Sequence, residues 1–409
     1  MKLYRHLTLL LLTAAALLAL WGCVPPDQVL RFVPESYESV KIGVVLPLSG
    51  ADALQGKKML RGAQFAAEEL NNRRGHFGRT VELLVEDSCS TGEGAAAALE
   101  KAVRAGAVGI VGGHSTVEVQ SMTALARRHR VPLVIPMATG DDDVIGKNPF
   151  VFRVVFTDQQ QSEMIAGFMK YYRRVKRVAV AVSTDPADVY SRNVARDVAD
   201  SFRELGGEIT CISETDKKDP APAMKQARSL VPDAIVLPFS AELAAKCYKI
   251  LRESGYSGLI CGPDTWDDPE FFRHLQGLKN VGSNFYTAFF SSEARHIEFI
   301  KFWQEFRKKY FYYPGSCEIQ TFDALNMLLT GFGNNAASLR SFNKNWRGMR
   351  KHSAVAGIYT MTPDNGIDRT IYINRIGRSP ETGDKPIPKN ITGLQYSRLE
   401  DYSIGVDKE

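Results

Sequence analysis

Short apolar runs without alternation recur along this chain, each followed by an amphipathic stretch at helical spacing. Val108, Ile110 and Val111 form one such run, and Leu133, Val134 and Ile135 another. A strand with no polar face suits a parallel sheet covered by helices on both sides. Between the two runs, Gly112 to Thr116 reads as a turn and the following segment to Arg130 as a helix; Ala138, Thr139 and Gly140 read as a second turn. The two strands therefore end side by side, each emptying into small and hydroxyl residues just ahead of a helix start. Free backbone amides and the positive end of a helix dipole favour an anion such as a carboxylate at such a place.

The same pattern organises the rest. Lys41 to Leu46 reads as a strand, the face Met59, Ala63, Ala66, Ala67 and Leu70 as a helix closed by Gly75, Thr80 to Glu86 as the next strand, and Glu93 to Arg104 as an alanine-rich helix. A second series follows Phe150 to Val155. Its strands are Arg177 to Val182, Glu208 to Ile212, Ala234 to Leu237 and Leu259 to Cys261, with helical faces between them. Repeated strand-helix-strand units predict an α/β protein with two doubly wound, Rossmann-like sheets, and ligands on such sheets bind at the carboxyl ends of the strands. Val281 to Ala288 then reads as a crossing strand. The aromatic row Phe299, Phe302, Trp303, Phe306 and Tyr310 repeats at helical spacing and reads as core.

At 409 residues, the chain is too long for a single core, and 44% hydrophobic with 24% charged residues is an ordinary globular balance. The net charge of +5 falls to +3 once Lys2 and Arg5 are set aside with the leader. That surplus argues neither for nucleic acid nor for an anionic membrane surface. The leader is the apolar run Leu7 to Leu20 behind those two cations, the length of a signal-peptide core. Leu20, Trp21, Gly22 and Cys23 resemble a bacterial lipobox, with Trp21 bulkier than the usual residue. Residues 1–22 are thus expected to be a lipoprotein signal peptide, Cys23 the lipidation site, and residues 23–40 a proline-containing tether. The mature body is expected on the extracytoplasmic side of a bacterial membrane, held there by its lipid.

Five cysteines remain, Cys89, Cys211, Cys247, Cys261 and Cys317, an odd number with no metal-ligand spacing. Whether Cys247 and Cys261 pair is left open by the spacing. No cofactor or metal is expected. Elbow, phosphate-loop and zinc-helix motifs are absent, and His114 adjoins no candidate nucleophile, so an enzyme is not expected. Asp267 and Asp268, before Pro269, read as a helix start.

From Lys41 to about Arg378 the order of elements resembles a type I periplasmic binding protein of the leucine, isoleucine and valine-binding branch. The resemblance rests on Ile42, Gly43, Val44, Pro47, Leu48, Ser49 and Gly50 with Gly56 and Gly62, on Glu86 to Cys89, on Val131 to Thr139, on Gly262, Pro263 and Asp264, and on Gly357, Asp364, Gly366 and Ile371 to Ile376. It implies two lobes joined by three hinge crossings: residues 41–155 plus 285–348, and residues 158–282 plus 353–378, followed by a loose tail over 379–409. It also implies an amino acid in the cleft and delivery to an ATP-binding-cassette (ABC) permease and its ATPase.

Carried over position by position, the resemblance gives Thr116 and Thr139 to the ligand carboxylate, and Ala138, Thr139 and Asp264 to its ammonium. Tyr190 stands at a tyrosine position, Ser49 lies in the opening loop, and Phe239 and Trp266 are candidates for the apolar wall. Gln55 departs from an aromatic position, Ser115 replaces a cysteine that would pair with Cys89, and Asp264 is one methylene shorter than the family glutamate. The run Asp141, Asp142, Asp143 reads either as a helix amino-terminal cluster or as a selector for a cationic ligand. Two rival functions share the fold: a ligand-sensing regulator, and an outer-membrane interaction lipoprotein with a vestigial cleft.

Overall fold

The computed structural model describes residues 39–140, 148–186, 188–333, 339–363, 365–378 and 386–395. Cys23 and the run Asp141 to Asp143 lie outside the described residues. Strands β1 (Val40–Leu46), β2 (Val81–Asp87), β3 (Gly109–Gly112), β4 (Leu133–Ile135) and β5 (Val151–Arg153) form one sheet in the order β2-β1-β3-β4-β5, parallel throughout. Strands β6 (Arg177–Ser183), β7 (Glu208–Thr215), β8 (Ala234–Val236), β9 (Leu259–Gly262) and β10 (Asn284–Ala288) repeat that order as β7-β6-β8-β9-β10, again parallel. In each sheet the order reverses beside the first strand, the place where loops part and leave a crevice.

Helices α1 (Ala53–Asn72), α2 (Gly92–Arg104) and α3 (Thr116–His129) serve the first sheet. Their ends are fixed locally. Thr91 caps α2 by accepting from the Gly94 amide, and Ser115 with Glu118 makes a reciprocal capping box on α3, which ends at Arg130 in the left-handed conformation. Helices α4 (Asp158–Gly167), α5 (Val189–Glu204), α6 (Ala221–Ser229), α7 (Ala241–Glu253) and the short α8 (Pro269–His274) serve the second sheet, and Thr157 with Gln160 boxes the start of α4. The chain then returns through α9 (Ile297–Tyr310), α10 (Ser316–Phe332) and α11 (Leu339–Gly348) to the first core, where Phe299, Phe302 and Phe306 are buried as the spacing predicts. Gly62 lets α1 meet α10 closely, because a Cβ there would lie 2.2 Å from the Glu318 carbonyl oxygen.

Strands β11 (His352–Ala354), β12 (Gly357–Met361), β13 (Ile367–Arg378) and β14 (Pro386–Gln395) finish the fold. Strand β13 is long enough to belong to both halves, pairing with β12 over Ile367 to Arg369 and with β10 over Tyr372 to Asn374. The chain passes between the cores at three places: Val154 to Val155, Phe289 to Phe290, and along β13 from Ile367 to Ile371. Arg369 sits at the meeting of the three. It is 1% exposed, and its guanidinium donates to the Val154 carbonyl at 2.8 Å, to Gln320 Oε1 at 2.7 Å and to the Phe289 carbonyl. The rings of Phe156, Phe289 and Tyr359 surround it.

Three sequence expectations are corrected here. Phe285 belongs to the second sheet, since β10 hydrogen-bonds in parallel to β9, so the second crossing falls at Phe289 rather than at residue 285. The segment from Ala354 to Met361 packs in the first core with Phe152 and Trp346, so the return to the second half starts within β13 rather than at Ser353. The carboxyl end is no loose tail over 386–395, because β14 pairs antiparallel with β13 from Thr370 to Arg378. Pro388 concealed it, yet proline is tolerated on an edge strand.

Replacing Arg369 with leucine strands three buried oxygens at once, the carbonyls of Val154 and Phe289 on two crossings and Gln320 Oε1 on α10. A loss of about 3–5 kcal/mol in unfolding free energy is expected, measured by urea denaturation, with Arg369→Lys recovering only part of it. A loss below about 1 kcal/mol would show that the crossings do not depend on this cation.

Candidate functional site

At the carboxyl ends of both sheets lies a cavity of about 820 Å³, within the range of small-molecule sites. Its first wall is built from the loops after β3 and β4. Glu118 Oε2 accepts from the His114 amide at 2.8 Å and the Ser115 amide at 3.1 Å, which leaves the Thr116 amide at the amino end of α3 for a bound group. Gly140 lets the second loop lie against the first, since a Cβ at that position would meet Thr116 Oγ1 at 2.5 Å. Behind the loop, the buried Arg153 donates to the Gly140 carbonyl at 2.7 Å and the Thr139 carbonyl at 3.5 Å. Thr116, Ala138 and Thr139 reach the cavity as uncharged groups, and Asp52, Lys58 and Glu318 line it on the same side.

The opposite wall carries acids. Tyr190, on α5, donates its hydroxyl to Asp264 Oδ1 at 2.9 Å, and the Asp264 amide donates to Gln161 Oε1 at 3.3 Å. No lysine, arginine or histidine pairs with Asp264 among the described residues. Burial pushes its carboxyl up to about 6, against the bonds from Tyr190 and Gln161 that favour the ionised form. The Tyr190 hydroxyl is raised well above its ordinary value, by burial first and then by the Asp264 charge. Further along, Asp267 Oδ2 accepts from the Ser316 hydroxyl at 3.0 Å, and burial pushes Asp267 up to about 7.

Of the residues singled out from sequence, Thr116, Ala138, Thr139, Tyr190 and Asp264 share this cavity, with Gln55 beside them. Ser49, Phe239 and Trp266 do not. Ser49 is exposed and spent on its own loop, its amide on Asp87 Oδ1 and its carbonyl on the Ser90 hydroxyl. Phe239 is fully buried in the second core. Trp266 is also fully buried, its indole donating to the Leu237 carbonyl at 3.1 Å and stacked on Phe271. The reason is the tight turn from Asp264 to Trp266: at three residues per turn, positions 264 and 266 point about 120° apart, so the acid faces the cavity and the indole faces the core.

The sequence reading missed much of the apolar wall. Phe272, Phe290, Trp303, Tyr312 and Tyr313 line the cavity, and so do Ile387 and Pro388 of β14. Trp303 belongs to the row read as core; it alone of that row turns to the cleft, stacked on Tyr313 at 5.0 Å. The run Tyr312-Tyr313-Pro314 between two helices was the available signal. His114 faces the cavity 3.6 Å from Asp52, and Asp268 caps α8 by accepting from the Glu270 amide. The described cysteines are all free, and no cluster suited to a metal occurs among the described residues. No described helix is long and apolar enough to cross a membrane.

Residues 39–381 match the profile of the periplasmic binding protein family, most of the chain. The chain belongs to that family. Its type I form and its likeness to the Leu/Ile/Val-binding branch agree with the doubled strand order. A Leu/Ile/Val-binding protein homologue of Brucella abortus is 31% identical over 172 residues, which is 42% of each chain, so the match spans about two-fifths of that relative. In fold, the chain is similar to a leucine-binding protein of Thermotoga maritima (24% identity, TM-score 0.75, 87% of this chain and 98% of that one). It is equally similar to a branched-chain amino-acid substrate-binding protein of Streptococcus pneumoniae solved with isoleucine (22% identity, TM-score 0.75, 87% and 100%).

A raised carboxyl in this cleft has a measurable consequence. Unfolded, Asp264 titrates near 3.8; folded, near 6. Between those values the folded chain keeps a proton that the unfolded chain has lost, so stability falls as pH rises through the window, and the full cost, roughly 3 kcal/mol, stands above it. Asp264→Asn is therefore expected to raise the melting temperature of the ligand-free protein at pH 7.5, and to match the wild type below pH 4. Equal melting at both pH values would remove the strain assigned to this acid.

Proposed function

We propose that this protein captures a small amphoteric ligand, an amino acid with an apolar or mixed side chain, in the cleft between its lobes. It then delivers the ligand to an ABC permease. The observation that carries the reading is the opposition of the two walls. One offers the Thr116 amide and the hydroxyls of Thr116 and Thr139, suited to a carboxylate; the other offers Asp264, recessed and without a cation, suited to an ammonium. A zwitterion satisfies both walls at once. A simple acid leaves Asp264 unpaired, and a simple amine leaves the first-lobe donors unused. The aromatic residues of the rim give an apolar side chain somewhere to lie.

Transport rather than catalysis is supported by the family, whose members are solute-binding proteins, and by the names of the relatives. Cys23 behind its apolar leader supports a lipid anchor that holds the protein to a bacterial membrane on its periplasmic or cell-surface side.

A thermal-shift screen of amino acids, their amides, short aromatic acids and polyamines tests the ligand class, because a ligand at 100 times its dissociation constant adds about 2.7 kcal/mol. Amino acids with apolar side chains are expected to raise the melting temperature. Asp264→Asn should then weaken binding of leucine about 10- to 100-fold, the worth of a charge-assisted hydrogen bond. Binding of 4-methylpentanoate, which lacks the ammonium, should change little. Equal losses for the two compounds would end the ammonium role of Asp264.

A further inference from the structure

Gln161, in the first turn of α4, is 0% exposed, an uncommon place for a polar side chain of its size. All four hydrogen-bonding positions of its amide are occupied. Oε1 accepts from the Asp264 amide at 3.3 Å and from the Thr287 hydroxyl at 3.2 Å, and Nε2 donates to Asp158 Oδ1 at 3.0 Å and to the Tyr190 hydroxyl at 3.4 Å. Turning the amide over would set its NH2 against the Asp264 N–H, so its orientation is fixed by its partners. Asp158 is 1% exposed and donates its own amide to the Thr139 carbonyl at 2.8 Å. One buried amide thus meets the Asp264–Tyr190 pair of the second lobe, strand β10 through Thr287, and, one bond further, the first-lobe loop that carries Thr139.

We propose that Gln161 is the positioning residue of the cleft: it aims the Asp264–Tyr190 pair at the cavity and, through Asp158, sets that pair against the Thr139 loop of the other lobe. Packing alone does not require it. Methionine has nearly the same length and volume and would fill the site without needing four partners. Gln161 touches no part of the cavity itself, so it acts through Asp264 and Tyr190. The role rests on the reading of the cleft as a ligand site, but its first test does not involve a ligand.

Around Asp264, Tyr190 on α5 donates to it and feels its charge, Asp267 beyond the turn feels that charge as well, and Asp158 on α4 acts on Tyr190. Gln161 favours the ionised form of Asp264. In the ligand-free protein, the Asp264 carboxyl carbon is followed by NMR from pH 4 to 8 in the wild type, Gln161→Met and Gln161→Glu, with Asp264→Asn identifying the signal. The midpoint should rise in Gln161→Met, by roughly half a pH unit or more. It should rise further in Gln161→Glu, which sets a second carboxylate beside Asp158 and Asp264. Affinity for L-leucine, measured by calorimetry, should fall about tenfold or more in both variants; because each leaves buried partners of Gln161 unpaired, their melting temperatures are expected to fall too, and both measurements are made at a temperature where circular dichroism shows the variants folded.

An unchanged Asp264 midpoint in both variants overturns the proposal, even if leucine binding weakens. A shifted midpoint in a protein that binds neither leucine nor any other amino acid supports the positioning role while ending the amino-acid reading of the cleft.

Discussion

The geometry of this protein turns on one buried guanidinium. Arg369 binds the carbonyls of Val154 and Phe289 and itself rides on the third connecting strand, so the three strands that pass between the lobes are fastened to a single planar cation. Arginine suits this place because its donors diverge in one plane at fixed angles, which lysine cannot reproduce. The aromatic faces of Phe156, Phe289 and Tyr359 shelter it from water. The first crossing leads directly to the cleft, because Asp158, four residues beyond Val154, donates its amide to the Thr139 carbonyl at 2.8 Å.

The cleft that this pivot serves is assembled from incomplete halves. At the candidate contacts, the first-lobe loops offer amides and hydroxyls and the second lobe offers Asp264 with no cation partner among the described residues, while Asp52, Lys58, Glu318 and Arg273 line the cavity farther along. Each half is tolerable alone because neither holds an uncompensated charge in a closed interior: backbone amides at the start of α3 carry only partial charge, and Asp264 takes up a proton more readily than a free aspartate does. Ionising that acid costs free energy, and on the proposed reading a bound ammonium would return it, coupling capture of a zwitterion to the pairing of the two walls. Discrimination against molecules lacking either group follows from the same arrangement, since a buried polar group left without a partner costs more than a good contact contributes.

The doubled sheet was legible because parallel strands buried on both faces leave dense apolar runs, and because the crossover helices between them keep a strict helical face. The site loops were legible for a related reason: the residues just past β3, β4 and β9 stand at the carboxyl ends of parallel strands, where ligands on such sheets bind. Where the reading failed, the deciding fact lay outside local sequence. Trp266 and Asp264 are two residues apart, and only the tight turn between them sends one inward and the other to the cavity. Phe239 carries no mark that separates a core ring from a cleft ring. Trp303 looks like its neighbours Phe299, Phe302 and Phe306, and only the docking of α9 beside Tyr313 distinguishes it. The lobe boundaries moved because β10 joins the second sheet and β13 is shared between the halves, memberships decided by partners far away in sequence. Gln161 gave no signal at all, being one of three successive glutamines at a helix start.

Strand β14 makes the last described stretch of the polypeptide part of the binding wall, through Ile387 and Pro388. A shortened version ending near residue 380, where composition alone invites a cut, would lose a side of the chamber and strip β13 of its antiparallel neighbour from Thr370 onward. The bare strand would then offer unsatisfied amides and carbonyls to any other extended chain, inviting self-association. Purification handles at this terminus therefore belong beyond residue 395, with a spacer, rather than in place of the final segment.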